Sequence, residues 1–339
     1  MKMKIIKKAE HLRTAGLFRE SLKLWKRIYK KALKKADIAL TSDALIALGD
    51  LNRIIGNFKI AISYYEEACE IAQAVGNKLS EADALTGISL CKKATGEWKE
   101  ALKILKKARK IYESSDDNKA IYFTLWAEGA IWRWGGRIKK SIDSFHKAFE
   151  GFKEIKDNEG IGYSCCGLGG SLRIYGNYEE SMRYYKMANE IFHKIGDKFG
   201  IAYSFCGIGN ALRMMNDFKG AEENFKKALD IYSKIGDIVS SSYTLWSMAM
   251  VYILKRKYKT ALQYIEKAEK NFKKCEDPRG LIYCKLQRGM IQYLNKKKKM
   301  AVKYFNEAWQ NAQIHDFALE RKYAQALLNG KYSLPYNIP

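Results

Sequence analysis

The chain has 339 residues, 47% of them apolar, only three prolines (Pro278, Pro335 and Pro339) and a net charge of +24. So few helix breakers exclude collagen-like and proline-rich disordered chains and point to an almost wholly helical one. No run approaches the roughly 20 apolar residues of a membrane span, the lysine-laden start MKMKIIKKAEHL lacks the core of a secretory signal, and a cytoplasmic location is the expectation.

The charge is uneven. Residues 1–40 hold 13 Lys/Arg against 3 Asp/Glu, residues 255–305 hold 16 against 4, and residues 41–254 hold 29 against 27. The seven cysteines, Cys69, Cys91, Cys165, Cys166, Cys206, Cys275 and Cys284, form no CxxC pair, and reduced, packed thiols are expected.

In chain order the sequence repeats itself every 40 residues. The run GIGYSCCGLGGSLRIYGNYEESMRYYKMANEIFHKIGD (160–197) aligns with GIAYSFCGIGNALRMMNDFKGAEENFKKALDIYSKIGD (200–237). A turn position recurs as Gly16, Gly56, Gly96, Gly136, Gly176, Asn216, Arg256 and Lys296, so the chain is an array whose units bury apolar faces against their neighbours. Units are expected at 1–39, 40–79, 80–119, 120–159, 160–199, 200–239, 240–279 and 280–315, followed by a capping helix at 317–328 and a flexible tail at 331–339.

Two stripes of helical spacing flank each turn. The second unit shows Leu45, Leu48, Gly49, Gly56, Phe58, Ala61, Tyr65 and Ala68; the sixth shows Phe205, Ile208, Gly209, Leu212, Asn216, Phe218, Ala221, Phe225 and Ala228. A helical glycine costs about 1 kcal/mol relative to alanine, so Gly49, Gly129, Gly169, Gly209 and Gly289 mark close helix crossings. Lys285, Arg288 and the run Lys296–Lys299 depart from the pattern and predict an irregular first helix in the eighth unit.

These columns, a large residue, Leu, Gly, the turn glycine, an aromatic, then Ala, aromatic and Ala, resemble the tetratricopeptide repeat (TPR). The period of 40 resembles its long-repeat variety, found in Pins-type adaptors and bacterial TPR regulators. The resemblance implies an all-α, right-handed superhelix of about eight helix-turn-helix units, non-enzymatic, whose first helices line a concave groove that holds a segment of another protein.

On that face the sequence places two ladders. One runs Asp43, Asp83, Phe123, Tyr163, Tyr203, Tyr243 and Tyr283; the other, ten residues on and about 15 Å along a helix, runs Arg53, Lys93, Arg133, Arg173 and Arg213. Between them lie Trp126, Cys166, Cys206 and Trp246, then Gly167, Gly207 and Ser247, then Gly170, Asn210 and Met250. Guanidinium groups grip carboxylates bidentately, so the expected partner-binding set is Arg133, Arg173, Arg213, Tyr163, Tyr203, Tyr243, Trp126, Trp246, Asn210 and Cys206, holding an acidic or C-terminal peptide segment. The tyrosine column reads equally as packing between units, and an arginine near a helix C-terminus is favoured by the helix dipole without any ligand.

Catalytic signals are weak. GLGGS (167–171) follows no strand and aligns with GIGNA in a repeat helix, and His11, His146, His193 and His315 share no column and have no ligand-spaced partners. No enzyme activity, metal or cofactor is expected. The alternatives are nucleic-acid or anionic-surface binding through the basic terminal units, and a small-molecule sensor floored by Trp126, Cys206 and Trp246.

Overall fold

A computed structural model describes residues 2–331. The eight hairpins are α1 (Lys2–Thr14) with α2 (Phe18–Lys34), α3 (Ile38–Ile54) with α4 (Phe58–Ala74), α5 (Lys78–Ala94) with α6 (Trp98–Glu113), and α7 (Asn118–Trp134) with α8 (Ile138–Glu154). They continue as α9 (Asn158–Tyr175) with α10 (Tyr178–Ile195), α11 (Lys198–Met214) with α12 (Phe218–Ile235), α13 (Ile238–Leu254) with α14 (Tyr258–Lys274), and α15 (Pro278–Leu294) with α16 (Lys298–Ile314). A last helix, α17 (Ala318–Leu328), covers the final hairpin. The tail expected at 331–339 lies, after Lys331, outside the described residues.

Each turn position of the sequence pattern adopts left-handed backbone, with φ of +77° at Gly16, +106° at Gly176, +64° at Asn216, +58° at Arg256 and +62° at Lys296. A second left-handed residue ends each hairpin, and after the first seven hairpins the side chain of the following residue caps the next helix. Asp37, Asn77, Asp117, Asp157, Asp197, Asp237 and Asp277 each accept the N–H three residues on, at 2.9–3.2 Å. This is the physical content of the polar pairs at the unit boundaries. The irregularity expected in the eighth unit is absent: α15 is a continuous helix, with Lys285 paired to Glu307 at 3.1 Å and Arg288 to Glu269 at 2.8 Å across the neighbouring second helices.

At three of the unit interfaces an aromatic ring on the second helix, Tyr65, Phe145 or Tyr185, is clamped between two glycines. A methyl group on Gly49 would lie 2.6 Å from the Tyr65 ring, and one on Gly87 of the following unit would strike the same ring. Phe145 lies between Gly129 and Gly167, and Tyr185 between Gly169 and Gly207. Gly167 and Gly207 therefore do not floor an open trough. They are the places where the next unit's first helix comes too close to an aromatic ring for any side chain. The small hydroxyls Ser141 and Ser181 lie at the same crossings and donate to the Gly129 and Gly169 carbonyls at 2.7 Å.

The array winds until its turns touch. Trp98 Nε1 donates to the Asp316 carbonyl at 3.2 Å across 218 residues. Nearly the same spacing recurs where Gly16 abuts Ile235, Gly56 abuts Cys275, and Gly96 abuts His315 and Phe317. Phe18 and Trp25 of the first unit share a core with Ala228, Tyr232 and Ile235 of the sixth. Gly16, Gly56 and Gly96 thus serve twice, since a side chain there would strain the left-handed turn and also press into the neighbouring superhelical turn.

Candidate functional site

The last turns of α3, α5, α7, α9 and α11 carry Arg53, Lys93, Arg133, Arg173 and Arg213. Stacking at a fixed register brings them into a row, and their charges act on one another. Burial first, then the charges of Arg133, Arg53 and Arg279, push Lys93 down to about 7. Arg213 is wholly buried, and burial followed by the neighbouring Arg173 lowers its pKa from the usual guanidinium range. The Tyr185 hydroxyl, pushed up by burial, feels Arg173 and Arg133 together, which links the two halves of the row.

Local partners differ along the row. Arg53 pairs with Asp50 at 3.3 Å and donates from Nε to the Tyr65 hydroxyl at 3.4 Å. Arg133 lies over the Phe145 ring at 5.6 Å and donates to the Gly167 carbonyl at 3.5 Å; Gly170 is small because this guanidinium occupies the space beside it. Arg173 is 5% exposed, and Arg213 donates to the Asn210 side-chain oxygen at 3.3 Å. Asn210 in turn donates to the Cys206 carbonyl at 3.2 Å, and Cys206 accepts from the Thr244 hydroxyl at 3.3 Å.

The tyrosine ladder resolves differently from the groove rail expected of it. Tyr163 donates to Asp197 at 2.6 Å and Tyr243 to Asp277 at 2.8 Å, each reaching the cap of the next unit's first helix, with rings packed on Phe192 and Phe272. Their hydroxyls tie units together. Trp246 is likewise enclosed, 3% exposed and 5.1 Å from the Tyr283 ring, so it is core and not groove floor. Tyr203 stays half-buried, stacked on Phe199, and Trp126 stays half-buried with its indole N–H donated to the Tyr163 carbonyl at 3.0 Å.

Three participants escape repeat reasoning. Arg279, at the start of α15 and 1% exposed, donates to the Trp134 carbonyl, stacks 4.0 Å over the Trp134 ring and pairs with the buried Glu320 of α17 at 3.2 Å. Tyr323, also on α17, feels Arg173 and Arg213. These residues come from the next superhelical turn, so no 40-residue column contains them.

The sequence GLGGS is interior to α9, where its amides belong to the helix. Among the described residues no three His, Cys, Asp or Glu side chains gather at metal-binding distance, and no helix is long and apolar enough to cross a membrane. The seven cysteines are free thiols, all buried except the half-buried Cys206.

The family profile of the tetratricopeptide repeat matches residues 40–114 and 163–234. Among solved structures, a Rap protein complexed with competence and sporulation factor aligns with a TM-score of 0.67 at 14% identity over 97% of each chain. The Rap conjugation gene regulator of the plasmid pLS20, in complex with the Phr* peptide, aligns at 0.65 and 16% identity over 82% of this chain and 77% of that one. A signal-transduction ATPase with a tetratricopeptide-repeat sensor from Pyrococcus horikoshii aligns at 0.53 and 16% identity over 96% of this chain and half of that one. No curated protein matches by sequence. The chain has the tetratricopeptide-repeat fold, an all-α solenoid of eight hairpins with a distinct last helix, and at these identities the likeness to the Rap structures is one of fold.

Proposed function

We propose that this protein is a non-catalytic scaffold that holds an acidic peptide segment of a partner along the inward ends of its first helices. The observation that carries the reading is the row Arg53, Lys93, Arg133, Arg173 and Arg213, five cations that stacking places within reach of one another's charge. Gathering like charges in a poorly solvated interior costs stability, and an anionic chain laid across them offsets that cost. Two similar folds were solved as complexes, one with competence and sporulation factor and one with the Phr* peptide, and the second supports a peptide as the occupant class here. Trp126, Tyr203, Asn210 and Cys206, all half-buried beside the row, would supply the neutral contacts. The exposed lysines of α2 and α14 lie on the second helices, and nothing about them favours nucleic acid over solvent.

The test is binding of fluorescent acidic octapeptides and of the same sequences with Gln and Asn replacing Glu and Asp. Acidic members should bind, and Arg53→Gln with Arg133→Gln, the two half-buried guanidinium groups of the row, should weaken them at least tenfold, whereas Arg173 and Arg213 are enclosed and act on the peptide only through their charge. Glutamine removes the charge without placing an opposite one in the row. Equal binding of acidic and neutral peptides, or an unchanged affinity in a folded double variant, refutes the proposal.

A further inference from the structure

Where two superhelical turns meet, cations outnumber carboxylates. Lys93 on α5 is faced by Arg53 and Asp50 from α3, Arg133 and Trp134 from α7, and Arg279 from α15, which brings Glu320 of α17 with it. Asp50 is paired to Arg53 and Glu320 to Arg279. Among the described residues, neither Lys93 nor Arg133 has a carboxylate within ion-pair distance. Lys93 Nζ lies 5.3 Å from the Trp134 ring and the Arg279 guanidinium 4.0 Å from the same ring, so one indole contacts two cations. Arg133 precedes that indole in the chain and, among the described residues, makes a long bond to the Gly167 carbonyl and a contact with the Phe145 ring.

We infer that Lys93 and Arg133, backed by Trp134 and Arg279, form the anchor for one anionic oxygen group, the carboxylate class of the proposed peptide. This rests on the peptide-binding reading for the source of the anion, but the anion site itself can be tested apart from it. Three physical points converge. The unmatched pair is contributed by adjacent units within the row, and both side chains are half-buried. Its backing residue Arg279 comes from the next superhelical turn and is held by the Trp134 carbonyl, so the site exists only when the turns are in contact. The lysine is also the cation in the row whose ammonium form the surroundings destabilise down to a pKa of about 7, so a bound anion draws a proton onto it.

The consequence is an opposition between stability and binding. Removing the Lys93 charge relieves repulsion from three guanidinium groups and should raise the melting temperature of the protein without ligand, while removing the anion's partner. A residue kept only for packing would lose stability on the same change.

The experiment uses the full chain with sulfate, which does not titrate near neutral pH, against sodium chloride at equal ionic strength. For the unmodified protein the melting temperature should climb with the logarithm of sulfate concentration beyond the chloride reference. The Lys93→Met variant should melt higher than the unmodified protein in chloride, and its sulfate response should fall at least tenfold in apparent affinity. Lys267→Met, on the exposed face of α14, should respond like the unmodified protein. Sulfate affinity should also decline as pH rises from 6 to 8, and the decline should be missing in Lys93→Met. A Lys93→Met protein that is less stable in chloride, or whose sulfate response and pH dependence match those of the unmodified protein, overturns the inference. The acidic octapeptides then separate the two claims: sulfate binding that depends on Lys93 with no peptide binding leaves the anchor standing and ends the scaffold reading. Peptide binding indifferent to Lys93 does the reverse.

Discussion

Asp237 is the cap of α13, and it differs from its counterparts one unit away on either side. Asp197 receives the Tyr163 hydroxyl and Asp277 the Tyr243 hydroxyl, whereas Tyr203, which stands in the corresponding place for Asp237, is stacked on Phe199. Asp237 keeps its cap bond from the Ser240 N–H at 2.9 Å but is 3% exposed, and burial pushes it up to about 6 despite that bond. The native state therefore holds the proton more tightly than the unfolded chain. Stability is full below the unfolded carboxyl range, near pH 4, and is lost as pH rises through 6. A shift of roughly two pH units at about 1.4 kcal/mol each corresponds to about 3 kcal/mol at pH 7. An asparagine in this place would cap as well and carry no charge, so Asp237→Asn should stabilise the protein by up to about 3 kcal/mol at pH 7.5 and by almost nothing at pH 4. Amide hydrogen exchange in α12 and α13 measures this without assuming that the whole array unfolds in one step. Equal protection in the two proteins at pH 7.5, or the same gain at pH 4, would show that the buried carboxylate is not the source of the cost.

Other predictions follow from the packing. Tyr243→Phe should cost about 1–3 kcal/mol in urea unfolding because the buried Asp277 carboxylate loses its donor, Tyr163→Phe should cost less because Asp197 is only half-buried, and Tyr203→Phe, which breaks no side-chain bond among the described residues, should cost little. Gly167→Ala gains up to about 1 kcal/mol of helix propensity but drives a methyl group into Phe145, so thermal melting should register a net loss of about 1–3 kcal/mol. At the contact between superhelical turns, Phe317→Ala should cost about 3–5 kcal/mol and lower the small-angle scattering signature of a wound array. Breaking the exposed Lys59–Glu276 pair with Lys59→Ala should change neither.

Much of the architecture was legible because its causes are local. A left-handed turn position accepts Gly, Asn or a tolerated long side chain, and Gly16 through Lys296 mark it every 40 residues; a cap needs an oxygen three residues before a free N–H, and Asp117, Asp157 and Asp197 supply it. The cationic row was legible for the same reason, since one side chain per period at one helix position becomes a row under any regular stacking. Its neighbours were not. Tyr163 and Trp246 have the composition of a ligand surface, and whether a ring faces solvent or the adjoining unit depends on the tilt between units, which no single period encodes.

The sequence by itself determined the repeat, the hairpins, the caps and the row of cations, because each follows from spacing within about 40 residues. Only the tertiary structure decided that Gly16, Gly56 and Gly96 meet residues of the sixth to eighth units, and that Arg279 and Glu320 complete the surroundings of Lys93. The pitch of a superhelix accumulates from small rotations at every unit interface, so residues about 218 positions apart become neighbours through a sum that no one interface reveals.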